Sequence, residues 1–126
     1  MLWKAQKDKR IKVNLVNFRK FALDKHKRAD DRPYGGGPGM VLKAEPLLRA
    51  VSALKLKSQS SKLKFVITSP RGKHFTNEMA DKWVKKYEQL VIIAGHYEGI
   101  DARVKKILKA EEISVGPYTL TGGELP

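Results

Sequence analysis

Short apolar runs and helical stripes take turns along this chain with few residues between them, and that alternation restricts the fold more than any other feature. In IKVNLVNF (residues 11–18), Ile11, Val13 and Leu15 share one face, which predicts an opening strand. A charged connector runs from Lys20 to Arg32 and ends at Pro33. GGGPG (35–39) is too dense in glycine and proline for regular structure. Pro46 suits the first turn of a helix, where its missing N–H is not needed. Leu47, Leu48, Val51 and Leu54 supply that helix's apolar stripe, and its end is expected within Ser58–Ser61. LKFVIT (63–68) predicts a strand that stops at SPRG. Thr76 predicts the cap of a second helix, with Met79, Trp83 and Tyr87 as its inward face. That aromatic stripe has the spacing of core packing rather than of a base-stacking platform. LVIIA (90–94) is uninterrupted, as expected of a strand covered on both faces. DARVKKILK (101–109) predicts a short helix through Val104, Ile107 and Leu108, and Ile113 to Val115 a last strand. The order is strand, helix, strand, helix, strand, helix, strand. It predicts an α/β fold, a parallel sheet with flanking helices, in a single domain over residues 1–126.

Charge narrows the partners. The 126 residues carry a formal net charge of +13, with an isoelectric point near 10.0. Such a surface attracts polyanions, of which nucleic acids are the usual ones. Cysteine is absent, which excludes a disulfide framework, a zinc-finger spacing and a thiol nucleophile, and suits a cytoplasmic protein. No apolar run approaches the roughly 20 residues of a membrane span, so no membrane partner is expected. The N-terminal MLWKAQKDKR has no secretion-signal pattern.

Three loops follow predicted strands directly: Ser69 to Gly72, Gly95 to Gly99, and Gly116 to Gly123. In open parallel sheets, ligands bind outside the carboxyl ends of the strands. Glycines there admit a ligand close to the main chain, so convergence of the three predicts a small-molecule site. GGGPGM is no dinucleotide fingerprint, because Pro38 breaks the pattern, and no P-loop follows these glycines. His26, His74 and His96 have no ligand spacing, and no metal site is expected from them. The residues alone thus lead to a basic α/β protein with a glycine-lined cleft.

DDRPYGGGPGM (30–40), SPRG (69–72), GHYEGIDARV (95–104) and SVGPYTLTGGELP (114–126) resemble, in order and separation, the signature blocks of the bacterial tRNA (guanine-37-N1)-methyltransferases of the SPOUT superfamily. The resemblance covers the chain from Ile11 onward. It implies a deep trefoil knot at the carboxyl ends of the strands, holding S-adenosylmethionine, and methyl transfer to N1 of the guanine next to the anticodon. It implies cofactor contacts at Ser69, Pro70, Gly95, Val115, Gly116, Pro117, Tyr118, Thr119, Leu120, Gly122 and Gly123. It places Asp30, Asp31, Arg32, Gly37 and Gly39 in a guanine-binding segment, and makes Glu98 and Asp31 the candidates for a catalytic part. Glu98 would bind substrate, support Mg2+ or anchor its turn, while Asp30, Asp31 and Arg32 would otherwise form local ion pairs. Implied partners are tRNA and a second copy in a homodimer.

Two departures shape the expectations. The family's opening strand and its continuation past GELP, with a general-base aspartate and a catalytic arginine, have no counterpart in this sequence, so little or no turnover is expected from residues 1–126 alone. Pro117 stands where the family commonly has an aspartate. Two other readings compete: a SPOUT methyltransferase acting on another RNA position, and a basic RNA-binding module without a cofactor.

Overall fold

The computed structural model describes residues 1–54, 56 and 62–125. Three parallel strands form its centre: β3 (Leu63–His74) lies between β4 (Gln89–Ile93) and β5 (Glu111–Ser114). A two-stranded antiparallel pair, β1 (Asp30–Asp31) and β2 (Val41–Leu42), stands apart from this sheet. The helices are α1 (Leu2–Lys7), α2 (Ala44–Ala53), α3 (Asn77–Lys86) and α4 (Ala102–Leu108), with one 3-10 turn at Phe18–Phe21. The alternation β3, α3, β4, α4, β5 matches the predicted order from Leu63 onward, and the predicted parallel pairing is present.

The core lies between the sheet and helices α2 and α4. Ala44, Leu47 and Val51 of α2 meet Ile67 of β3, Ile93 of β4 and Val104 of α4, with Phe18 packed alongside. Burying an aliphatic side chain of this size stabilises a fold by roughly 1.5–3 kcal/mol. Val66 and Val104 are completely buried. The local signals also act as expected. The Thr76 hydroxyl accepts the Met79 N–H at 3.2 Å and caps α3. Pro46 lies in the first turn of α2. Met79, Trp83 and Tyr87 are half-buried, the Trp83 ring lying 5.3 Å from that of Phe75.

Four expectations need correction. Residues 11–18 form no strand: Leu15 is 95% exposed, and alternation without a neighbouring strand gives a ladder nothing to bond to. In place of a leading strand, α1 occupies Leu2–Lys7 with no buried residue. Helix α2 ends at Ala53, because Leu54 is already extended, and Ser58–Ser61 lie outside the described residues. Strand β3 does not stop at SPRG. It resumes, with both Thr68 and Lys73 paired to Ile113, so the intervening residues bulge out between two paired feet. Finally, β4 is an edge strand whose faces differ: Ile93 is buried, whereas Leu90 and Ile92 are exposed.

The bulge needs glycine at its foot. A Cβ on Gly72 would stand 2.4 Å from the Ile113 nitrogen and 2.5 Å from the Glu112 carbonyl carbon, both main-chain atoms. Gly72→Ala is therefore expected to destabilise the protein by about 1–3 kcal/mol, the usual range for overpacking. Urea unfolding checks this; an unchanged midpoint would show that β5 yields without cost.

Candidate functional site

The bulge within β3 and the loops at the carboxyl ends of β4 and β5 converge. They enclose a cleft of about 700 Å3 lined by Thr68 to Arg71, Gly95 to Ala102, and Ser114, Val115 and Tyr118 to Gly123, among others. That volume lies within the range of small-molecule sites. Thr68, just before the bulge, joins the three loops. Its hydroxyl oxygen lies 3.4 Å from the Gly95 N–H as acceptor, and 3.5 and 3.4 Å from the Ile93 and Gly123 carbonyls as alternative acceptors of its proton. A shorter bond closes the junction: the Gly123 N–H donates to the Gly95 carbonyl at 2.6 Å, beside an antiparallel bridge between His96 and Gly122.

Such proximity requires glycine. A Cβ on Gly123 would stand 2.1 Å from the Thr68 hydroxyl and 2.6 Å from the Gly95 nitrogen, and one on Gly95 would stand 3.2 Å from the Thr68 carbonyl. The turn after Gly95 is also tightly wound. Tyr97 has a left-handed φ of 56°, unusual for a side chain of its size, and the Gly99 N–H returns to the His96 carbonyl at 3.1 Å. Strain of this kind collects at ligand sites. The His96 Nδ1 is buried without a hydrogen bond, with the Glu124 carboxylate 3.4 Å away.

Of the cofactor contacts implied by resemblance, Ser69, Pro70, Gly95, Val115, Tyr118, Thr119, Leu120, Gly122 and Gly123 line this cleft. Gly116 and Pro117 do not: Gly116 is buried beneath the Tyr118 ring, and Pro117 faces solvent. Glu98 lies in the lining, while Asp30, Asp31, Arg32, Gly37 and Gly39 lie outside it. Asp30 faces Arg19 at 3.7 Å and Asp31 faces Lys43 at 3.6 Å. The Arg32 N–H bonded to Asp31, and then the Lys43 charge, hold the Asp31 carboxyl below its usual value of 3.8. The DDRPYGGGPGM segment nevertheless adjoins the cleft. It is the long loop of the β1–β2 hairpin, laced to the turn after β4 through Glu98 N–H to Met40 carbonyl (3.1 Å), Leu42 N–H to Gly99 carbonyl (3.0 Å) and Asp101 N–H to Leu42 carbonyl (3.0 Å). A Cβ on Gly39 would run into the Glu98 side chain at 2.5 Å.

Sequence reasoning passed over Thr68, Ile100, Asp101, Lys105 and Glu112, which also line the cleft. Thr68 carried a faint signal as the last residue of LKFVIT. Asp101 caps α4, accepting the Arg103 main-chain N–H at 2.9 Å, and its carboxylate also takes the Arg103 side chain at 2.7–3.1 Å. Among the described residues, no group of three or more His, Cys, Asp or Glu comes together as a metal site, and no helix is long and apolar enough to cross a membrane.

Fold and site thus define a class: an α/β protein whose parallel sheet carries, at the bulge of β3 and the ends of β4 and β5, a cleft of small-molecule size. The comparison with known proteins is more specific. The family described as tRNA (Guanine-1)-methyltransferase TrmD matches residues 1–126, and the chain belongs to that family. It is 47% identical over 123 residues to a tRNA (guanine-N(1)-)-methyltransferase of Moorella thermoacetica, covering 98% of this chain and 49% of the relative. Identity is also 47% over 126 residues to proteins of the same name from Ruminiclostridium cellulolyticum and Bacillus pumilus, covering all of this chain and 53% and 51% of the relatives. The chain spans about half the length of the curated relatives it matches.

The Arg103 side chain, and against it the burial of the carboxylate, set the Asp101 titration, leaving it below 3.8. A carboxyl depressed on folding contributes stability above its unfolded value and loses that contribution as pH falls through its folded value. Asp101→Asn is therefore expected to lower the urea midpoint at pH 7, and the gap to the unsubstituted protein should narrow as pH drops below about 3.8. A gap independent of pH would assign Asp101 a purely steric role.

Proposed function

We propose that this chain is the cofactor-binding portion of an enzyme that methylates N1 of the guanine 3′-adjacent to the tRNA anticodon, with S-adenosylmethionine as donor. The observation carrying this reading is the junction of Thr68, Gly95 and Gly123, which gathers the β3 bulge and two strand-end loops into one cleft of about 700 Å3. Family membership supplies the reaction class.

The residues fit the donor. Main-chain N–H and C=O groups are fixed partners for adenine and for the methionine end, and we assign that role to Val115 and Tyr118 to Leu120, which line the cleft. Glycine at 95 and 123 lets the main-chain segments around the cleft come together. Bound there, S-adenosylmethionine supplies an electrophilic methyl group. Ser69 and Pro70 wall the opposite rim, and Glu98, between the cleft and Gly39, faces the side from which a base would arrive. We assign Glu98 the task of accepting from the base edge, and the DDRPYGGGPGM hairpin that of holding the guanine. Positioning of the two reactants supplies much of the rate in such transfers. The excess of cations holds the RNA backbone, with affinity that falls as salt rises. A deep trefoil knot, a homodimer and a cytoplasmic setting complete the proposal.

Calorimetry with S-adenosylhomocysteine, the demethylated donor, tests the cleft. The protein is expected to bind it, and Gly95→Val or Gly123→Val to weaken binding at least tenfold while circular dichroism retains the helical signal. Absence of binding by the unsubstituted protein, or binding indifferent to both substitutions, would refute the assignment. Methylation of tRNAs with and without guanine beside the anticodon, by the protein at its relatives' full length, tests the substrate.

A further inference from the structure

We infer that the Tyr34 ring, backed by the Arg103 guanidinium, is a stacking platform for one unpaired RNA base next to the methylated guanine. The inference rests on the tRNA reading above and names a subsite within it.

Arg103 is fixed before any ligand arrives. Its Nε lies 3.0 and 3.1 Å from the two Asp101 oxygens and its Nη2 lies 2.7 Å from Oδ2, a fork on a carboxylate that is itself anchored as the cap of α4. A second carboxylate, Glu45 at the start of α2, lies 3.7 Å from Nη2. The guanidinium carbon stands 5.7 Å from the centre of the Tyr34 ring, within cation–π range. Asp101, Ala102 and Lys105 of the same segment line the cleft, so the clamp stands at its border.

Tyr34 is held on one side and open on the other. It remains 88% exposed, so a ring face is available to a flat partner. Pro33 restricts the chain before it. After it, Gly35, Gly36 and Gly37 take φ of 90°, 81° and 113°, and a Cβ at any of them would meet nothing within 4 Å. These glycines therefore serve backbone direction and not packing. They bring no side chain to crowd the ring, and the Gly36 N–H turns back to the Pro33 carbonyl at 3.2 Å.

An isolated exposed aromatic needs no explanation. This one differs in being mounted on an immobilised cation, and in a hairpin laced by main-chain bonds to the turn that borders the cleft. Every nucleobase presents a π-face, so stacking here would be tolerant of sequence. A base adjacent to the target, splayed from its stack, fits this chemistry.

The test uses a fluorescent anticodon stem-loop RNA with guanine 3′ to the anticodon, and two versions abasic on either side of that guanine. Tyr34→Ala is expected to weaken binding of the intact RNA roughly tenfold, as loss of one base–aromatic stack does. Tyr34→Phe should bind normally, and neither substitution should change S-adenosylhomocysteine affinity, which reports an intact fold. On one abasic RNA, Tyr34→Ala should have no further effect. An equal loss on all three RNAs, or no loss, overturns the platform while leaving the methyltransferase reading in place. A protein that binds neither the RNA nor S-adenosylhomocysteine overturns both.

Discussion

The 2.6 Å bond from the Gly123 N–H to the Gly95 carbonyl is the contact on which the site depends. It joins a segment beyond β5 to the turn leaving β4, and the Thr68 hydroxyl of β3 sits against both. These strands are not consecutive neighbours: the chain passes from β4 at one edge, across β3, to β5 at the other. Without a contact tying the ends together, three parallel strands would present three independent loops. With it, they present one enclosure, and the missing side chains at 95 and 123 allow the approach.

Much of this was legible in the residues. Parallel pairing followed from the alternation of apolar runs with helical stripes, and loops that trail such strands must meet at one end of the sheet. The glycines of GHYEG and TLTGGE were read as room for a ligand, whereas at Gly95 and Gly123 the room is taken by the protein's own main chain and Thr68. What remained hidden depended on partners. The alternation of Ile11, Val13 and Leu15 has the period of a strand, but period does not supply a neighbour, and Leu15 stays in solvent. LVIIA reads as buried on both faces because composition cannot show that a strand lies at an edge, where Leu90 and Ile92 are left uncovered. Thr68 is one threonine among several until the fold brings two loops to its hydroxyl. The ion pairs of Asp30 and Asp31 join residues more than ten positions apart, which spacing alone does not announce.

Cations are distributed unevenly in their surroundings. Lys64 is largely buried, its ammonium 2.5 Å from Glu111 on the neighbouring strand and about 5 Å from the Trp83 and Tyr87 rings. That cluster lies toward the amino end of the sheet, where it braces β3 against β5 and α3. On the neighbouring residue of β5 Glu112 pairs with Lys105, and at the start of α4 Arg103 pairs with Asp101. Charges that organise the fold are thus neutralised locally, while many of the remaining lysines and arginines are exposed. The long-range field that draws in a polyanion comes from this second population.

The bulge in β3 has a mechanical consequence. Because Thr68 and Lys73 share Ile113 as their partner, the SPRG excursion behaves as an arch on two anchored footings and not as a hinged flap. An arch of fixed span resists swinging, so this wall is the stationary jaw of the cleft. Any adjustment of the cleft then falls to the opposite jaw, Tyr118 to Gly123, held by the short bond at Gly123, the longer Thr68 contact and the bridge at Gly122.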